Sequence, residues 1–350
     1  MRAILIERQG GPVASNIRTS ANWADAPADP APGEARLRTL ASALNHMDLW
    51  VGLGIPGVEL TYPRVSGCDA CAEVTAVGPE VSDEWLGRRV ILNAALAQPN
   101  RAEPDAPTGA TLAPEYRLIG EHSHGTHRES FCAPVENLVP VGQDADPFEA
   151  AAFGLVTLTA YSMMVTKGRL RPGQTVLITG IGGGVALAAL SIAQWMGCPV
   201  CVTSRHQWKL DRARGLGADA LVLDQGQDWS KEVRAWTGKR GVDMAVDSVG
   251  APTHLNCIKS LARGGGYVTP GNTAGPRAPT DLARLFWNQL RVLGSTMGTN
   301  DEMRETAALF RAGHLRATID SVHAWTDAPR AWQRIEAGEQ FGKVVIDWES

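Results

Sequence analysis

Residues 175–205, TVLITGIGGGVALAALSIAQWMGCPVCVTSR, decide the fold of this chain. The apolar run Thr175–Thr179 predicts a buried strand, and a glycine-rich turn follows it at 180–184. The apolar stretch Val185–Met196 predicts a helix, and a glycine and a proline separate it from a second strand at Val200–Thr203. Strand, glycine turn, helix and strand in this order predict a right-handed βαβ unit of a parallel sheet.

The same alternation of strand and helix continues toward the C-terminus from about Arg171. Further strands are predicted at Ala220–Leu223, Met244–Asp247 and Tyr267–Thr269, and a further helix at Gln207–Leu216. Five such strands suffice for a doubly wound dinucleotide-binding sheet, so this half of the chain is predicted to be α/β.

The glycine turn itself predicts where a dinucleotide binds. Glycines at Gly180, Gly183 and Gly184 allow a tight turn and a close approach of backbone N–H groups to a pyrophosphate. That pyrophosphate lies at the N-terminus of the helix that begins near Val185, where the helix dipole favours negative charge. A glycine cluster alone is weak evidence, but its place inside a βαβ unit makes dinucleotide binding the favoured interpretation over a purely structural turn.

The end of the second strand predicts which dinucleotide binds. NAD sites usually place an Asp or Glu there to hold the ribose 2′-hydroxyl, whereas this strand ends in Ser204 and Arg205, with Lys209 nearby. A hydroxyl, a guanidinium and an ammonium attract a 2′-phosphate, which a carboxylate would repel. The predicted cofactor is NADP(H); the alternative is that Arg205 only caps a solvated strand end.

The first 150 residues show a different pattern of apolar and turn residues. Short strand-like runs such as Ala35–Leu40 and Arg89–Leu92 are separated by turn residues, which is typical of an antiparallel β domain. The segment Asn100–Pro114 is rich in Pro, Ala, Asp and Gly and is predicted to be an exposed loop. The tail ends in a predicted strand, Lys343–Asp347, preceded by a helix, and is expected to return to this first domain.

Bulk composition excludes several classes of function. A length of 350 residues favours two domains at roughly 150 residues each. With 33 Lys and Arg against 37 Asp and Glu, the net charge is −4, which argues against a nucleic-acid partner. The long uncharged stretch Gly173–Ser204 is broken by glycines and a proline, so no membrane segment is predicted there.

The cysteines and the N-terminus favour a cytoplasmic location. Residues 1–11 read as a first strand because they carry charge within a short apolar stretch and lack a cleavage pattern. Two C-x-x-C spacings, Cys68/Cys71 and Cys198/Cys201, lack the further ligands of a zinc finger. The six cysteines are therefore expected to be reduced, mostly buried thiols.

The order of these parts resembles a known family. The motifs are ALNHMDLW (43–50), PRVSGCDACAEVTAVGPEV (63–81), the stretch RPGQTVLITGIGGGVALAALSIAQ (171–194), LGADALVLD (216–224), LGSTMG (293–298) and FGKVVI (341–346). Together they resemble the zinc alcohol dehydrogenase-like and quinone oxidoreductase branches of the medium-chain dehydrogenase/reductase superfamily, over nearly the whole chain.

The resemblance implies a domain organisation and further site residues. It implies a GroES-like, β-rich catalytic domain formed by residues 1–156 and 297–350, and a Rossmann domain formed by residues 157–296. The strand Arg291–Ser295 resembles the family's dimer-forming edge strand, so a homodimer is expected. The resemblance also implies a set of positions that line the cofactor: Thr159, Val185, Gly250, Gly271, Thr296 and Lys343.

The chain departs from the zinc enzymes of the family at the ligand positions. The resemblance places the three catalytic-zinc ligands at Asn45, Cys68 and Leu155, which leaves a single thiol where zinc needs three N, S or carboxylate ligands. The lobe that binds a structural zinc in the family matches residues 93–117, which contain no cysteine. No metal is therefore expected.

A metal-free site favours substrates that are easy to reduce. Quinones and α,β-unsaturated carbonyls let negative charge build on a remote oxygen, which ordinary hydrogen-bond donors can stabilise without a Lewis acid. Four residues are predicted to line the pocket. They are Asn45, as a donor to the substrate oxygen; Asp48, which orients its neighbours; Trp50, as an aromatic wall; and Cys68, as a small filler rather than a nucleophile.

Two other functions stay open from the sequence. One is a zinc alcohol dehydrogenase with unconventional ligands, and the other is an NADPH-binding protein that keeps the fold without catalysis. The cluster His122, His124 and His127 is interpreted as a polar turn rather than a metal site, since no carboxylate accompanies it. Three tail tryptophans, Trp325, Trp332 and Trp348, are expected to serve packing or a subunit contact.

Overall fold

The structure, a computed structural model of the chain, describes residues 1–25, 29–96 and 110–350. Its chain divides into two compact units, one formed by Met1–Leu155 with Gly298–Ser350 and the other by Val156–Met297. Of the predicted loop Asn100–Pro114, residues 100–109 lie outside the described part, and residues 110–112 form a short 3₁₀ turn.

Among the regular elements of the described chain up to Tyr161, strands outnumber helices. Its elements are, in order, β1 (Ala3–Ile6), β2 (Ile17–Ser20), β3 (Glu34–Ala43), α1 (His46–Leu53), β4 (Ala70–Val77), β5 (Arg89–Leu92), β6 (Ala95–Leu96), β7 (Arg117–Leu118), β8 (Ser130–Pro134), β9 (Leu138–Pro140) and α2 (Pro147–Tyr161). A π-helical turn, Ser162–Lys167, extends α2.

Strands and helices then alternate, as the sequence predicts. The elements of the second unit are β10 (Val176–Ile178), α3 (Gly184–Trp195), β11 (Val200–Ser204), α4 (Gln207–Gly215), β12 (Ala220–Leu223), α5 (Ser230–Trp236), β13 (Val242–Val246), α6 (Ala251–Ser260), β14 (Leu261–Thr269), α7 (Leu282–Asn288) and β15 (Arg291–Gly294). After them come α8 (Asn300–Arg311), β16 (Ile319–Ala324), α9 (Ala328–Glu336) and β17 (Lys343–Asp347).

The second unit contains a parallel sheet of six strands in the order β12-β11-β10-β13-β14-β15. Numbered from β10, this is the doubly wound order 3-2-1-4-5-6 of dinucleotide-binding folds, which confirms the predicted fold class. The strands predicted at Met244 and Tyr267 begin earlier, at Val242 and Leu261. Cys201 and Cys257 lie fully buried in the core of this unit, as small apolar side chains.

The first unit is organised around the ten-residue strand β3. In its described part, a seven-stranded sheet runs β16-β17-β3-β4-β5-β9, and β8 also pairs with β3. The last strand of the chain, β17, pairs antiparallel with β3, and Val345 lies opposite Ala43. This pairing brings the start of β17 beside the segment that leads from β3 into α1.

Tail tryptophans pack inside this unit. Trp332 and Trp348 are fully buried. The ring of Trp325 stacks on that of Trp348, with the ring centroids 6.2 Å apart. These contacts account for all three side chains through packing.

One helical stretch has the length and mean hydropathy of a membrane span among the described residues, namely Pro147–Lys167. Of the most apolar 18 residues of this helix, 78% are buried inside the protein. Such burial is typical of a core helix. The uncharged stretch Gly173–Ser204 folds as β10, α3 and β11.

Candidate active site

The glycine turn connects β10 to α3 with a backbone that requires glycine. Gly180 and Gly182 have φ of 63° and 113°, a region that L side chains rarely adopt. A Cβ on Gly180 would also lie 2.7 Å from Cγ2 of Val249. The turn is therefore tight because its sequence is glycine-rich, and it brings the chain directly to the start of α3 at Gly184.

The first turn of α3 presents backbone donors to an anion. The first intrahelical acceptor is the carbonyl of Gly183, which accepts from the N–H of Leu187 at 3.0 Å. The N–H groups of residues 184–186 precede that bond and have no acceptor within the helix. With the helix dipole, they form a site that suits a pyrophosphate.

Asp247 holds the neighbouring strand ends together. Its Oδ1 accepts from the Thr179 hydroxyl at 2.5 Å and from the N–H of Val249 at 2.9 Å, and its Oδ2 accepts from the Tyr267 hydroxyl at 2.8 Å. The carboxylate is fully buried. Burial, together with the charge of Asp247, raises the pKa of Tyr267. The sequence predicts Asp247 only as the last residue of a strand; a carboxylate at the C-terminal end of a parallel strand is the signal that could have identified its role.

The end of β11 has the predicted polar and basic character. Ser204 is buried and its Oγ accepts the N–H of His206 at 3.1 Å, while Arg205 is exposed. Lys209 lies one turn into α4, with Nζ 5.2 Å from the centre of the Trp208 ring. A serine and an arginine thus stand at the strand end where NAD sites carry an acidic side chain, and a lysine follows in α4.

Several predicted cofactor positions also belong to the second unit. Thr159 is buried, with its Oγ1 3.9 Å from Sδ of Met297. Gly250 precedes α6 with φ of 97°, and a Cβ there would lie 2.6 Å from the carbonyl oxygen of Gly275. Gly271 donates its N–H to Oγ1 of Thr269 at 3.3 Å, and Thr296 is exposed.

The first unit holds a buried polar cluster, which consists of Asn45, Cys68, Asp69 and Lys343. The Nζ of Lys343 lies 2.6 Å from Oδ1 of Asn45 and 2.9 Å from Oδ2 of Asp69. The relative exposures are 8% for Asn45, 1% for Asp69 and 4% for Lys343. A buried carboxylate and a buried ammonium therefore neutralise each other here.

This cluster bears on two predicted roles. The resemblance implies that Lys343 lines the cofactor, and in the structure its ammonium pairs with the buried Asp69, which requires a counter-charge. Asn45 was expected to donate to a substrate oxygen, but its amide already donates to Oδ2 of Asp69 at 2.9 Å and to Sγ of Cys68 at 3.4 Å. Both amide hydrogens are thus used.

Asp69 binds two of the three positions that the resemblance assigns to zinc. Its Oδ1 accepts the N–H of Leu155 at 2.7 Å, and its Oδ2 accepts from Asn45 and from Lys343. Asp69 is not among the predicted site residues; its place directly after Cys68 is the signal that could have identified it.

Cys68 is a buried thiol. It has no exposed surface, and burial raises its pKa, with the charges of Asp69 and Asp48 acting in the same direction. The thiolate form is therefore disfavoured, which argues against a nucleophilic or metal-binding role and favours packing.

Asp48 fixes the start of α1 from within the protein. Its Oδ2 accepts the backbone N–H of Asn45 at 2.7 Å, and its Oδ1 lies 3.3 Å from Nε2 of His127. Both side chains are fully buried. Burial favours a higher pKa for Asp48, but the His127 charge and the hydrogen bonds from His127 and Asn45 outweigh it and lower the pKa. Asp48 thus orients Asn45, while Trp50, further along α1, is 40% exposed.

The histidine cluster separates into two kinds of residue. His122 and His124 each accept a backbone N–H through Nδ1, from Leu118 and Val65, both at 3.1 Å. His127 instead extends the buried network, since its Nδ1 lies 2.9 Å from the Ser42 hydroxyl, which accepts from Nε1 of Trp348 at 2.9 Å. The interpretation as a polar turn therefore fits the first two residues and is wrong for His127.

Comparison with known proteins agrees with the fold. The pattern of the family described as zinc-binding dehydrogenase matches residues 184–312, and that of the alcohol dehydrogenase GroES-like domain matches residues 31–143. A solved structure described as an NAD-dependent alcohol dehydrogenase is 35% identical, with a TM-score of 0.91, and the match covers 99% of this chain and 100% of that one.

Two curated relatives match this chain over most of the length of both proteins. A zinc-type alcohol dehydrogenase-like protein of Leptosphaeria maculans is 29% identical over 91% of each chain. A 2-haloacrylate reductase of a Burkholderia species is 27% identical over 98% of each chain. The chain belongs to the medium-chain dehydrogenase/reductase superfamily. It is an oxidoreductase, and the alternative of a non-catalytic NADPH-binding protein is disfavoured.

The family name implies zinc, but the residues present here do not fit it. The three ligand positions offer a carboxamide, a thiol whose pKa is raised and a leucine. The ammonium of Lys343, among these groups, would repel a divalent cation. Among the described residues, no three His, Cys, Asp or Glu side chains lie together in a way that could hold a metal ion.

Proposed function

We propose that this protein is an NADPH-dependent, zinc-independent reductase of α,β-unsaturated carbonyls or quinones. The observation that carries the proposal is the pairing of Lys343 with Asp69 and with Asn45, which stands at one of the positions that the resemblance assigns to the metal. A cationic hydrogen-bond donor stabilises the delocalised charge of a conjugated acceptor better than the localised charge of an unactivated alkoxide.

The cofactor preference follows from the chain's own residues. The donors at the start of α3 suit the pyrophosphate, and Ser204, Arg205 and Lys209 suit a 2′-phosphate. The solved relative described as NAD-dependent shows that the family also includes NAD enzymes. The absence of Asp or Glu at positions 204 and 205 favours NADP(H) here.

The reaction needs little from the protein beyond binding and charge stabilisation. When bound, the nicotinamide supplies a hydride to the β-carbon of the acceptor, and a proton taken up at the α-carbon completes the saturated product and leaves NADP⁺. The buried polar cluster of the first unit contains one cationic hydrogen-bond donor, the ammonium of Lys343, that suits a substrate oxygen. The relative described as a 2-haloacrylate reductase, which is named for a conjugated acid, supports this substrate class.

A zinc-type alcohol dehydrogenase with unusual ligands is the second candidate. The names of two relatives favour it, whereas the donor set at positions 45, 68 and 155 disfavours it. Elemental analysis of the purified protein separates the two, because only the second candidate predicts one zinc per chain at the catalytic site.

We expect the purified protein to oxidise NADPH when a conjugated acceptor is added. Stopped-flow absorbance with a panel of enals, enones and quinones should show turnover of at least one class, while saturated alcohols with NADP⁺ should give none. Preincubation with a strong zinc chelator should leave the rate unchanged, since no residue at the site requires a metal. Inertness toward the entire panel, or loss of activity with the chelator, would contradict the proposal.

We also infer that the protein works in a reducing compartment such as the cytoplasm and forms a homodimer through β15. All six cysteines are free thiols. β15 is an edge strand of the parallel sheet, and beside it α7 exposes large apolar side chains. Their relative exposures are 72% for Leu282, 72% for Phe286 and 68% for Trp287, and that of Val292 on β15 is 47%. Such an edge and patch suit a second copy related by a twofold axis.

Replacing Val292 with arginine is expected to weaken this dimer by at least about 100-fold, because a twofold axis places two buried charges in one interface. Light scattering after size exclusion should give the mass of one chain for the variant and of two for the unchanged protein. Val322→Arg, at a similarly exposed valine (45%) on β16 of the first unit, is the matched control and should stay dimeric. A wild-type protein that elutes as a monomer at micromolar concentration would rule out this interface.

A further inference from the structure

Lys343 has one hydrogen-bond donor more than its neighbours use. An ammonium group carries three N–H donors, and those of Lys343 meet Oδ1 of Asn45 and Oδ2 of Asp69. For its third N–H, the described part of the chain supplies no acceptor. Because the side chain is only 4% exposed, bulk water is a poor substitute, and a buried charged donor of this kind favours a polar ligand.

The two acceptors hold the ammonium in a fixed position. Asp69 is anchored by the N–H of Leu155 at 2.7 Å, and Asn45 by its own N–H on Asp48 at 2.7 Å. Lys343 itself begins β17 and donates its backbone N–H to the carbonyl of Thr318 at 2.8 Å. The direction of the third N–H is thus set before any substrate binds, which is the condition for efficient electrostatic stabilisation.

We propose that Lys343 is a catalytic residue whose third N–H donates a hydrogen bond to the oxygen of the acceptor. The inference rests on the proposed function and deepens it, since it names the group that stabilises the negative charge in place of a metal ion. As hydride adds to the β-carbon, the electron pair of the C=C bond moves toward the carbonyl and the oxygen becomes an enolate. Lys343 stabilises that negative charge without transferring its own proton, and the α-carbon takes its proton from water.

The ligand class follows from the same geometry. A single fixed N–H beside a neutralised carboxylate suits one anionic or partly anionic oxygen, as in an enone, an enal or a quinone. Conjugated carbonyl compounds that present one such oxygen are therefore the expected substrates.

The test is Lys343→Met, which keeps the length of the side chain and removes its donors. The rate of hydride transfer to an enone, measured by stopped flow at saturating NADPH, is expected to fall by about 100 to 1,000-fold, the usual loss when one oxyanion donor is removed. The dissociation constant of NADPH, measured by fluorescence titration, should change less than about twofold, because the ammonium is proposed to bind the substrate oxygen and not the cofactor. Lys343→Arg should recover part of the rate because it restores a cationic donor.

The double variant Asp69→Asn/Lys343→Met tests whether misfolding explains a slow Lys343→Met. It removes both buried charges together, so no unpaired charge is left in the cluster. It should melt near the wild-type temperature and stay as slow as Lys343→Met. Lys259→Met, which removes a lysine paired with Asp228 in the second unit, is the control and should keep the wild-type rate.

Three outcomes would overturn the inference. A recovered rate in the double variant would show that Lys343 only neutralises Asp69. A loss of NADPH affinity as large as the loss in rate would assign Lys343 to the cofactor, and a wild-type rate in Lys343→Met would remove its role altogether. A wild-type protein inert to every acceptor would instead overturn the proposed function, and with it this inference.

Discussion

Replacing Arg205 with glutamate is expected to reverse the cofactor preference, with the ratio of NADPH to NADH affinity falling by about 100-fold. Arg205 is exposed directly after β11, where its guanidinium can bind a 2′-phosphate. A hydrogen bond to a charged group contributes about 1.5–3 kcal/mol, and the new carboxylate adds repulsion toward the phosphate. Each 1.4 kcal/mol corresponds to a factor of about ten in affinity, so two orders of magnitude is the expected scale.

The measurement is the dissociation constant of each cofactor by fluorescence titration. Binding of NADH should stay constant or tighten, because glutamate can accept from a ribose 2′-hydroxyl. Arg214→Glu makes the same charge change at the far end of α4, where the side chain is exposed, and should shift both constants equally. Equal weakening of NADPH and NADH by Arg205→Glu would contradict the assignment of the 2′-phosphate to this strand end.

Replacing Asp48 with leucine is expected to lower the free energy of unfolding of the first unit by about 1–3 kcal/mol, the usual cost of leaving a buried polar group without its partner. The substitution leaves Nε2 of His127 without its partner at 3.3 Å and the N–H of Asn45 without its acceptor at 2.7 Å. Thermal unfolding followed by circular dichroism should show the loss. Asp29→Leu, at a carboxylate with 99% side-chain exposure, should change it little.

A double-mutant cycle separates the Asp48–His127 interaction from simple loss of packing. His127→Leu alone should also destabilise, but Asp48→Leu/His127→Leu should lose less than the sum of the two, because neither of the two side chains is then left buried without the other. Strict additivity would show that the two side chains do not interact.

The same pair sets an acid limit on stability. Burial favours a higher pKa for Asp48, yet the His127 charge and hydrogen bonds lower it below the value in the unfolded chain. The stabilisation from Asp48 is therefore complete above the unfolded pKa of about 3.9 and is lost as the pH falls through the lower, folded pKa. Unfolding measured between pH 7 and pH 2 should show a shallower acid branch for Asp48→Leu than for the wild type.

Local patterns allowed the sequence to predict the fold of the second unit. The turn at 180–184, the helix that follows it and the end of β11 lie within one continuous stretch, so glycine conformation and strand periodicity were enough to predict these elements. The function of Asp247 was missed because its partners Thr179 and Tyr267 lie 68 and 20 residues away in the chain.

The substrate half depended on contacts that no local pattern encodes. Motif positions predict Asn45, Asp48 and Cys68 as site residues, but they do not predict the direction in which these side chains point. The positions of Asp69 and Lys343 relative to each other, 274 residues apart in the chain, follow only from the pairing of β17 with β3. His127 was misinterpreted for the same reason, since its partner Asp48 lies on another element.

The position of β17 has a consequence for synthesis of the protein on the ribosome. Lys343 lies 298 residues after Asn45, so the polar cluster is incomplete until nearly the whole chain has been translated. The second unit, Val156–Met297, is continuous in sequence and emerges earlier. The nascent chain is therefore expected to acquire nucleotide binding before it can process a substrate. Until β17 has been translated, β3 lacks one of its partner strands.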